Sequence, residues 1–303
     1  RDVDCDGCTG KAVLCGNNAC VESMCVRTHQ GDCVTVLDNG AVCDVECRSC
    51  TGVAITCGAG ACVEEVAISN HTGDCVRCAD GSCVTETECR NVVGVGISVG
   101  KSSVIEDCDV SGGGGGGSYK ALEGSRVVGN RGVSRDDSDD IAVTDRCFVG
   151  DNIISRGVGI SCGSECCVED NQLTQCNGKP DSTAGVGAAI VVSGSHSSIS
   201  DNQLTNCRVG ISIRNTGHWS SVDDNHISSS VAPDPVSTVA GIVIDSSATG
   251  VLCTCNHLRL APGSPPFIAG SSSYGPLVSL DPAGGDLSSQ PLSAHHLANY
   301  IVP

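Results

Sequence analysis

Aromatic residues are nearly missing from this chain. It has one Trp, three Tyr and two Phe among 303 residues, with a single Met. A ring-based core is thereby excluded, and so is a groove paved with aromatic platforms for sugar rings. Positive charge is scarce too: 17 Lys and Arg face 35 Asp and Glu, a formal net charge of −18. Nucleic-acid binding needs clustered cations to neutralise phosphates, so no nucleic-acid partner is expected. No run approaches the roughly 18 apolar residues of a membrane-spanning helix, so no transmembrane segment is expected. No stretch keeps the roughly 3.6-residue apolar period that a packed helix needs. The sequence opens at Arg1 on a Cys-rich stretch without a leader pattern, so a processed form is expected.

What is abundant is Val, Ile, Ala, 39 Gly and 24 Cys, with 40% apolar residues in all. These residues favour strands, and that apolar fraction can build a core. A cysteine load of this size points to an oxidising compartment, extracellular or at the cell surface, and to several disulfides. Their connectivity does not follow from spacing. Cys5-x-x-Cys8 and Cys47-x-x-Cys50 have the form of zinc or redox pairs but lack a second pair at a zinc-ribbon spacing. Asn70-His71-Thr72 is a glycosylation sequon.

The cysteines follow a repeat. Cys8-TGKAVL-Cys15-GNNA-Cys20-VE returns as Cys50-TGVAIT-Cys57-GAGA-Cys62-VE, and His29-QGDCV returns at the same separation as His71-TGDCV. Gly10, Gly31, Gly52, Gly73 and Gly94 are evenly spaced at half that separation, so the unit is half the distance between the copies. The second half keeps the unit at variable length. Its strand-like pieces carry Asn152, Asn171, Asn202, Asn225 and Asn256. Cys25, Cys47, Ala67, Cys89, Cys108 and Asn130 continue that phase backwards, giving eleven rungs from Cys25 to Asn256. No unit can bury its own apolar face, so units must stack with strands in parallel register. Val53 and Ile55, Val158 and Ile160, Ile211 and Ile213, and Ile242 and Ile244 are expected inside.

The segments GVGIS (157–161) with CVEDNQL (167–173), and VGISI (209–213) with SVDDNHI (221–227), resemble the right-handed parallel β-helix repeat of the pectate-lyase-like superfamily. The resemblance covers residues 8–260 and implies an all-β solenoid of about 11–12 rungs, Cys-rich over 1–108 and interrupted by loops over 109–260. Residues 261–303 are then a capping tail over the last rung's open edge. The superfamily hosts lyases, hydrolases, epimerases, phage spikes and adhesins, so it sets the fold rather than the chemistry.

Three cysteine ladders follow from the repeat: Cys20, Cys43, Cys62 and Cys83; Cys25, Cys47, Cys89 and Cys108; and Cys15, Cys57 and Cys78. Rungs about 4.8 Å apart lie within disulfide reach. Buried, reduced thiols acting as small apolar residues are the alternative.

Function in a solenoid usually sits where the repeat is broken. The breaks are the Gly run of 111–118, the acidic stretch 135–146, and insertions after Asn177 and Val231. Asp136, Asp137, Asp139, Asp140 and Asp145 could hold Ca²⁺, the one cofactor the sequence suggests, or shift one another's pKa for acid–base work. A solvated acidic turn is the plainer reading. Asp139-Asp140-Ile141-Ala142 resembles an element of polygalacturonase-type β-helix hydrolases, in which paired carboxylates act as general acid and base. The family's Asn-Thr-Asp, Gly-His-Gly and Arg-Ile-Lys elements are missing. Arg214, His218 and Asp245 form a second candidate catalytic group, with an ordinary surface ion pair as its alternative.

The expected role is a secreted or cell-surface scaffold, adhesive or filament-forming protein, associated with acidic polysaccharide or with itself through the solenoid ends. A Ca²⁺-assisted lyase, hydrolase or epimerase acting on a uronic-acid polymer is the enzyme alternative. Ice or mineral binding by a face of Ala12, Cys33, Ala54, Cys75 and Gly96, beside Thr35, Thr56 and Ser98, is the third.

Overall fold

The computed structural model describes residues 3–113, 117–134, 139–176, 188–214, 216–229, 240–262, 264–265, 267–269, 277–279 and 299–301. The chain forms two compact units, Arg1–Phe148 and Val149–Pro303. Both are parallel β-solenoids, and among the described residues there is no helix.

In the first unit one wall stacks short strands: Val13–Cys15, Val34–Val36, Ile55–Cys57, Val76–Cys78, Ile97–Val99, Tyr119–Ala121 and Ile141–Val143. Each pairs in parallel with the next. The offset is constant from Val13↔Val34 to Val76↔Ile97, and one position longer at Ile97↔Tyr119 and Tyr119↔Ile141. The opposite wall begins as longer strands, Cys20–Arg27, Ala41–Arg48 and Cys62–Ser69. Each bends at a left-handed residue, Ser23, Asp44 or Glu65, with φ of 52–53°. Later rungs break there into two strands, as in Cys83–Thr85 and Glu88–Arg90 around Glu86. The evenly spaced glycines mark where rungs touch: a Cβ on Gly73 would overlap the Gly52 carbonyl.

The second unit repeats the plan with Ile160–Cys162, Ala188–Val192, Val209–Ile213, Ala240–Ile244 and Phe267–Ala269 on one wall. Ile160 pairs with Ile190, Ile190 with Ile211, Ile211 with Ile242 and Ile242 with Phe267. These offsets are unequal, because insertions separate some strands.

Every rung sends a branched aliphatic inward. Val42, Val63, Val84, Ile105 and Val127 stack in register and are fully buried. Leu173, Leu204, Ile227 and Leu258 do the same in the second unit. Each contributes about 1.5–3 kcal/mol of burial, before chain entropy is set against it. Tyr119 is the largest fully buried side chain among the described residues, and its hydroxyl donates to the Cys108 carbonyl at 2.9 Å. Ile55, Ile160, Ile211, Ile213, Ile242 and Ile244 are buried as expected. Val53 and Val158 are only half-buried, because Ala54 and Gly159 take the inward places beside them.

The asparagines form one continuous buried ladder in the second unit. Asn202 Nδ2 donates to Asn225 Oδ1 (2.9 Å), Val168 O (2.9 Å) and Ser200 O (2.8 Å). Its Oδ1 accepts from the Asn171 backbone N–H (3.1 Å) and Nδ2 (2.9 Å). Asn152, Asn171, Asn225 and Asn256 share the pattern at the next rungs. In the first unit Asn130 Oδ1 accepts from the Cys108 N–H at 2.9 Å.

The expected phase of this column is corrected further back. Strand register continues it through Cys108, Thr87, Val66, Val45 and Met24, not through Cys89, Ala67, Cys47 and Cys25. The cysteine phases shift likewise. Cys20 aligns with Ala41, Cys62 and Cys83, whereas Cys43 sits between Glu22 and Glu64. Cys47 and Cys89 share a column with Val26, Ile68 and Val110, without Cys25 or Cys108. Cys15, Cys57 and Cys78 do share one, with Val36 between. The face of small residues is also corrected. Cys33, Ala54 and Cys75 are fully buried, so this column points into the coil and offers no surface to ice or mineral.

The amide ladder should dominate local stability. Asn202→Ala strands the partners of its amide and is expected to lower the unfolding free energy by about 2–4 kcal/mol. The outward neighbour change Gln203→Ala should cost less than about 0.5 kcal/mol, as read by urea denaturation. Equal effects would contradict the ladder's role.

Candidate functional site

Alternation along the bent strands of the first unit turns one set of side chains outward. Val21, Val42, Val63 and Val84 point in, so residues on either side of each face solvent. Register then builds two adjacent columns: Cys20, Ala41, Cys62, Cys83, and Glu22, Cys43, Glu64, Thr85. Four thiols and two carboxylates come to share one face. Cys20 and Cys62 are exposed, while Cys43 and Cys83 are half-buried.

Cys62 and Cys83 stand in register on neighbouring rungs, and each thiol shifts the pKa of the other. Burial raises the Cys43 thiol pKa first, with Cys20, Cys62, Glu64 and Glu22 adding negative charge beside it. Burial also raises Cys62, then Glu64, against the lowering contact from Cys83. Cys83 is raised by burial, then by Cys62 and Glu106. Such a face disfavours bare thiolates and favours any cation that replaces their protons.

A separate buried column holds His29, Cys50, His71 and Val92, aligned by backbone bonds from the Thr51, Thr72 and Val93 N–H groups to the His29, Cys50 and His71 carbonyls. His29 Nε2–H donates to the Gly10 carbonyl at 2.8 Å and His71 Nε2–H to the Gly52 carbonyl at 3.0 Å. The Nδ1 atom of each is buried without a hydrogen-bond partner. Burial lowers the His71 pKa below 6.5, against raising contacts from Gly52 and Asp74.

The acidic candidates are spread over one rung. Asp140 is fully buried: its carbonyl accepts from the Tyr119 N–H at 2.7 Å, and the Ser118 hydroxyl lies 3.5 Å from its carboxylate. Asp139 is half-buried and Asp145 exposed. Asp136 and Asp137 lie outside the described residues.

In the second unit, Arg214 and Asp245 occupy successive rungs just past the aligned Ile213 and Ile244. The Asp245 carboxylate caps its own turn, accepting from the Ser247 N–H at 3.2 Å. His218 Nδ1 instead accepts from the Thr249 N–H at 3.1 Å.

Two features escaped the reading of spacings. Glu22 and Glu64 join the thiol face, and the recurring Cys-Val-Glu triplets at 20–22 and 62–64 were the available signal. Asp223, Asp224 and Cys255 bring donor atoms within 4.8 Å of one another. The stacked rings of His226 and His257 lie nearby in sequence, their centroids 6.1 Å apart.

A family model described as periplasmic copper-binding protein (NosD) matches residues 68–257, more than half of the chain. The chain belongs to the NosD family. NosD is a periplasmic family of right-handed parallel β-helices. No curated protein sequence matches the chain.

Among solved structures, the A-module of the Azotobacter vinelandii mannuronan C-5 epimerase AlgE6 is 10% identical, with a TM-score of 0.57, covering 95% of this chain and 82% of that one. An alginate lyase from Paenibacillus sp. str. FPU-7 is 11% identical, with a TM-score of 0.52, covering 86% of this chain and 99% of that one. The chain spans 62% of the Dettilon tailspike protein (gp208), which covers 92% of this chain at 16% identity and a TM-score of 0.49. At these identities the likeness is one of fold.

The buried imidazole of this NosD-family chain makes stability depend on pH. A lowered folded pKa means that, below about pH 6.5, the unfolded state binds a proton that the folded state refuses. Stability is therefore expected to fall as pH drops from 7.5 to 5.5. His71→Val, which copies Val92 one rung on, should flatten that slope in denaturation midpoints. An unchanged slope would contradict this assignment.

Proposed function

We propose that the chain is an extracytoplasmic β-solenoid protein that holds a soft cation, copper in its cuprous state first, on the outward thiol face. The carrying observation is the pair Cys62 and Cys83, in register on neighbouring rungs and reachable from solvent. Cys20, Cys43, Glu22 and Glu64 flank the pair. The family description names copper, and the donor set fits it: thiolates select cuprous ion over hard cations such as Ca²⁺. A bound cation would supply positive charge between groups that otherwise repel.

The protein's own part is positional. Parallel register sets the spacing of the sulfurs, the inward valines hold the strands that carry them, and Glu64 adds attraction for a cation. A net charge of −18 draws cations to the surface at long range. Because the thiols are held protonated, each sulfur must release a proton on binding, so affinity should rise about tenfold per pH unit for each proton displaced.

A second reading, Ca²⁺-assisted binding of an acidic polysaccharide, keeps the second-unit candidates Arg214, His218 and Asp245, while full burial removes Asp140. Its support is an open groove of about 420 Å³ in the second unit, lined by Asn206, Ser228, Ser229, Arg259, Leu260 and Pro262. One guanidinium there can meet a uronate carboxylate.

The test is competition for cuprous ion against a chromogenic chelator, under reducing conditions. The first equivalent should bind at least about tenfold more weakly in Cys62→Ser/Cys83→Ser, and unchanged in Cys162→Ser. Equal affinity in all three proteins would overturn the copper reading. Ca²⁺-dependent retention on immobilised polyuronate, lost in Arg259→Ala, would favour the second.

A further inference from the structure

Inside the first unit lie two cysteine pairs, turned inward where the thiols of the candidate site turn outward. Cys33 precedes the strand Val34–Val36, and Cys47 lies within Ala41–Arg48. Their counterparts two repeats on are Cys75, before Val76–Cys78, and Cys89, within Glu88–Arg90. All four are 0% exposed. The members of each pair stand on facing walls of one rung, at the same separation in sequence in both copies. Cys47 raises the pKa of the Cys33 thiol and Cys75 that of the Cys89 thiol, as neighbours across the coil do.

The rung between the two pairs shows what these positions otherwise hold. Ile68 stands in register between Cys47 and Cys89, and Ala54 takes the place equivalent to Cys33 and Cys75. A small residue facing a large one is thus replaced, on alternate rungs, by two of middle size. Cys50 also acts on the Cys33 thiol, lowering its pKa. The counterpart of Cys50 two repeats on is Val92, however, so only the pairing Cys33 with Cys47 is common to both copies.

We propose that Cys33–Cys47 and Cys75–Cys89 are disulfides of the mature protein, each closing one rung on itself. In each, two thiols lose two protons and two electrons and one S–S bond forms. The oxidant is a small-molecule disulfide of the glutathione class, whose own S–S bond breaks to give two thiols. Exchange proceeds through a thiolate; the Cys47 neighbour and then burial hold the Cys33 thiol protonated, burial first holds Cys89 so, and both are out of reach in the folded chain. The bonds therefore form while the chain folds. Linking facing walls fixes the width of the first and third of three consecutive rungs without using any outward thiol. The assignment stands apart from the copper reading, since the two sets of cysteines do not overlap.

The test is to refold the full chain from denaturant in a glutathione redox buffer and alkylate the remaining thiols under denaturing conditions. The product is then digested, without reduction, by a protease that cuts beside aspartate. Asp38 and Asp44 lie between Cys33 and Cys47, and Asp80 between Cys75 and Cys89, so each bond leaves a linked peptide pair. Mass spectrometry should find both pairs, each lighter by two hydrogens than its reduced components. Alkylated Cys33, Cys47, Cys75 or Cys89 as the main product, or linkage of these residues to other partners, would overturn the assignment. Cys50→Ala should keep the Cys33–Cys47 peptide pair. Its disappearance in that variant would also overturn the assignment.

Discussion

Parallel register between successive rungs is the constraint on which everything else depends. Strands about 4.8 Å apart, hydrogen-bonded at a fixed offset, put the same position of each repeat directly over the last. A residue type that recurs in sequence therefore becomes a column in space. Val and Ile columns fill the coil, the Asn column satisfies its own amides and those of its neighbours, and the Gly column lets rungs touch. Each is a local choice multiplied by stacking, which is why a chain with six aromatics can still build a continuous core.

The same multiplication gives the cysteines two different lives. A shift of one position along a strand moves a side chain from the interior to the solvent. Cys47 and Cys89 fall on inward positions and meet Cys33 and Cys75 inside a rung. Cys20, Cys43, Cys62 and Cys83 fall on outward positions and meet one another across rungs, among glutamates. Burial and neighbouring negative charge keep the Cys43, Cys62 and Cys83 thiols protonated, and the proposed cation would displace those protons. Belonging to the NosD family makes copper the natural ion to consider, and thiol softness makes it chemically apt.

Much of this was legible in the amino-acid order. The even spacing of the glycines from Gly10 to Gly94 and the Asn run from Asn152 to Asn256 imposed a parallel solenoid, and the structure has one. What was not legible was phase within a rung. Cys25, Cys47, Ala67, Cys89 and Cys108 look equivalent by spacing, yet register separates them, because a left-handed residue such as Asp44 or Glu65 bends each long strand. For the same reason Cys43 appeared to belong with Cys20 and Cys62 but sits beside Glu22 and Glu64. Glu22 and Glu64 went unremarked because isolated acidic residues in an acidic chain carry no signal until register lines them up with thiols. The small column of Cys33, Ala54 and Cys75 reads equally well as a flat outer face or a tight inner one, and only burial decides between them.

If register assembles sulfurs from different rungs into one outward cation site, X-ray absorption at the copper edge, on the full chain carrying one equivalent of cuprous ion, will read those sulfurs directly. A first shell of sulfur alone is the predicted result. A shell dominated by oxygen or nitrogen, as the group of Asp223, Asp224 and Cys255 with its neighbouring histidines would supply, would contradict it.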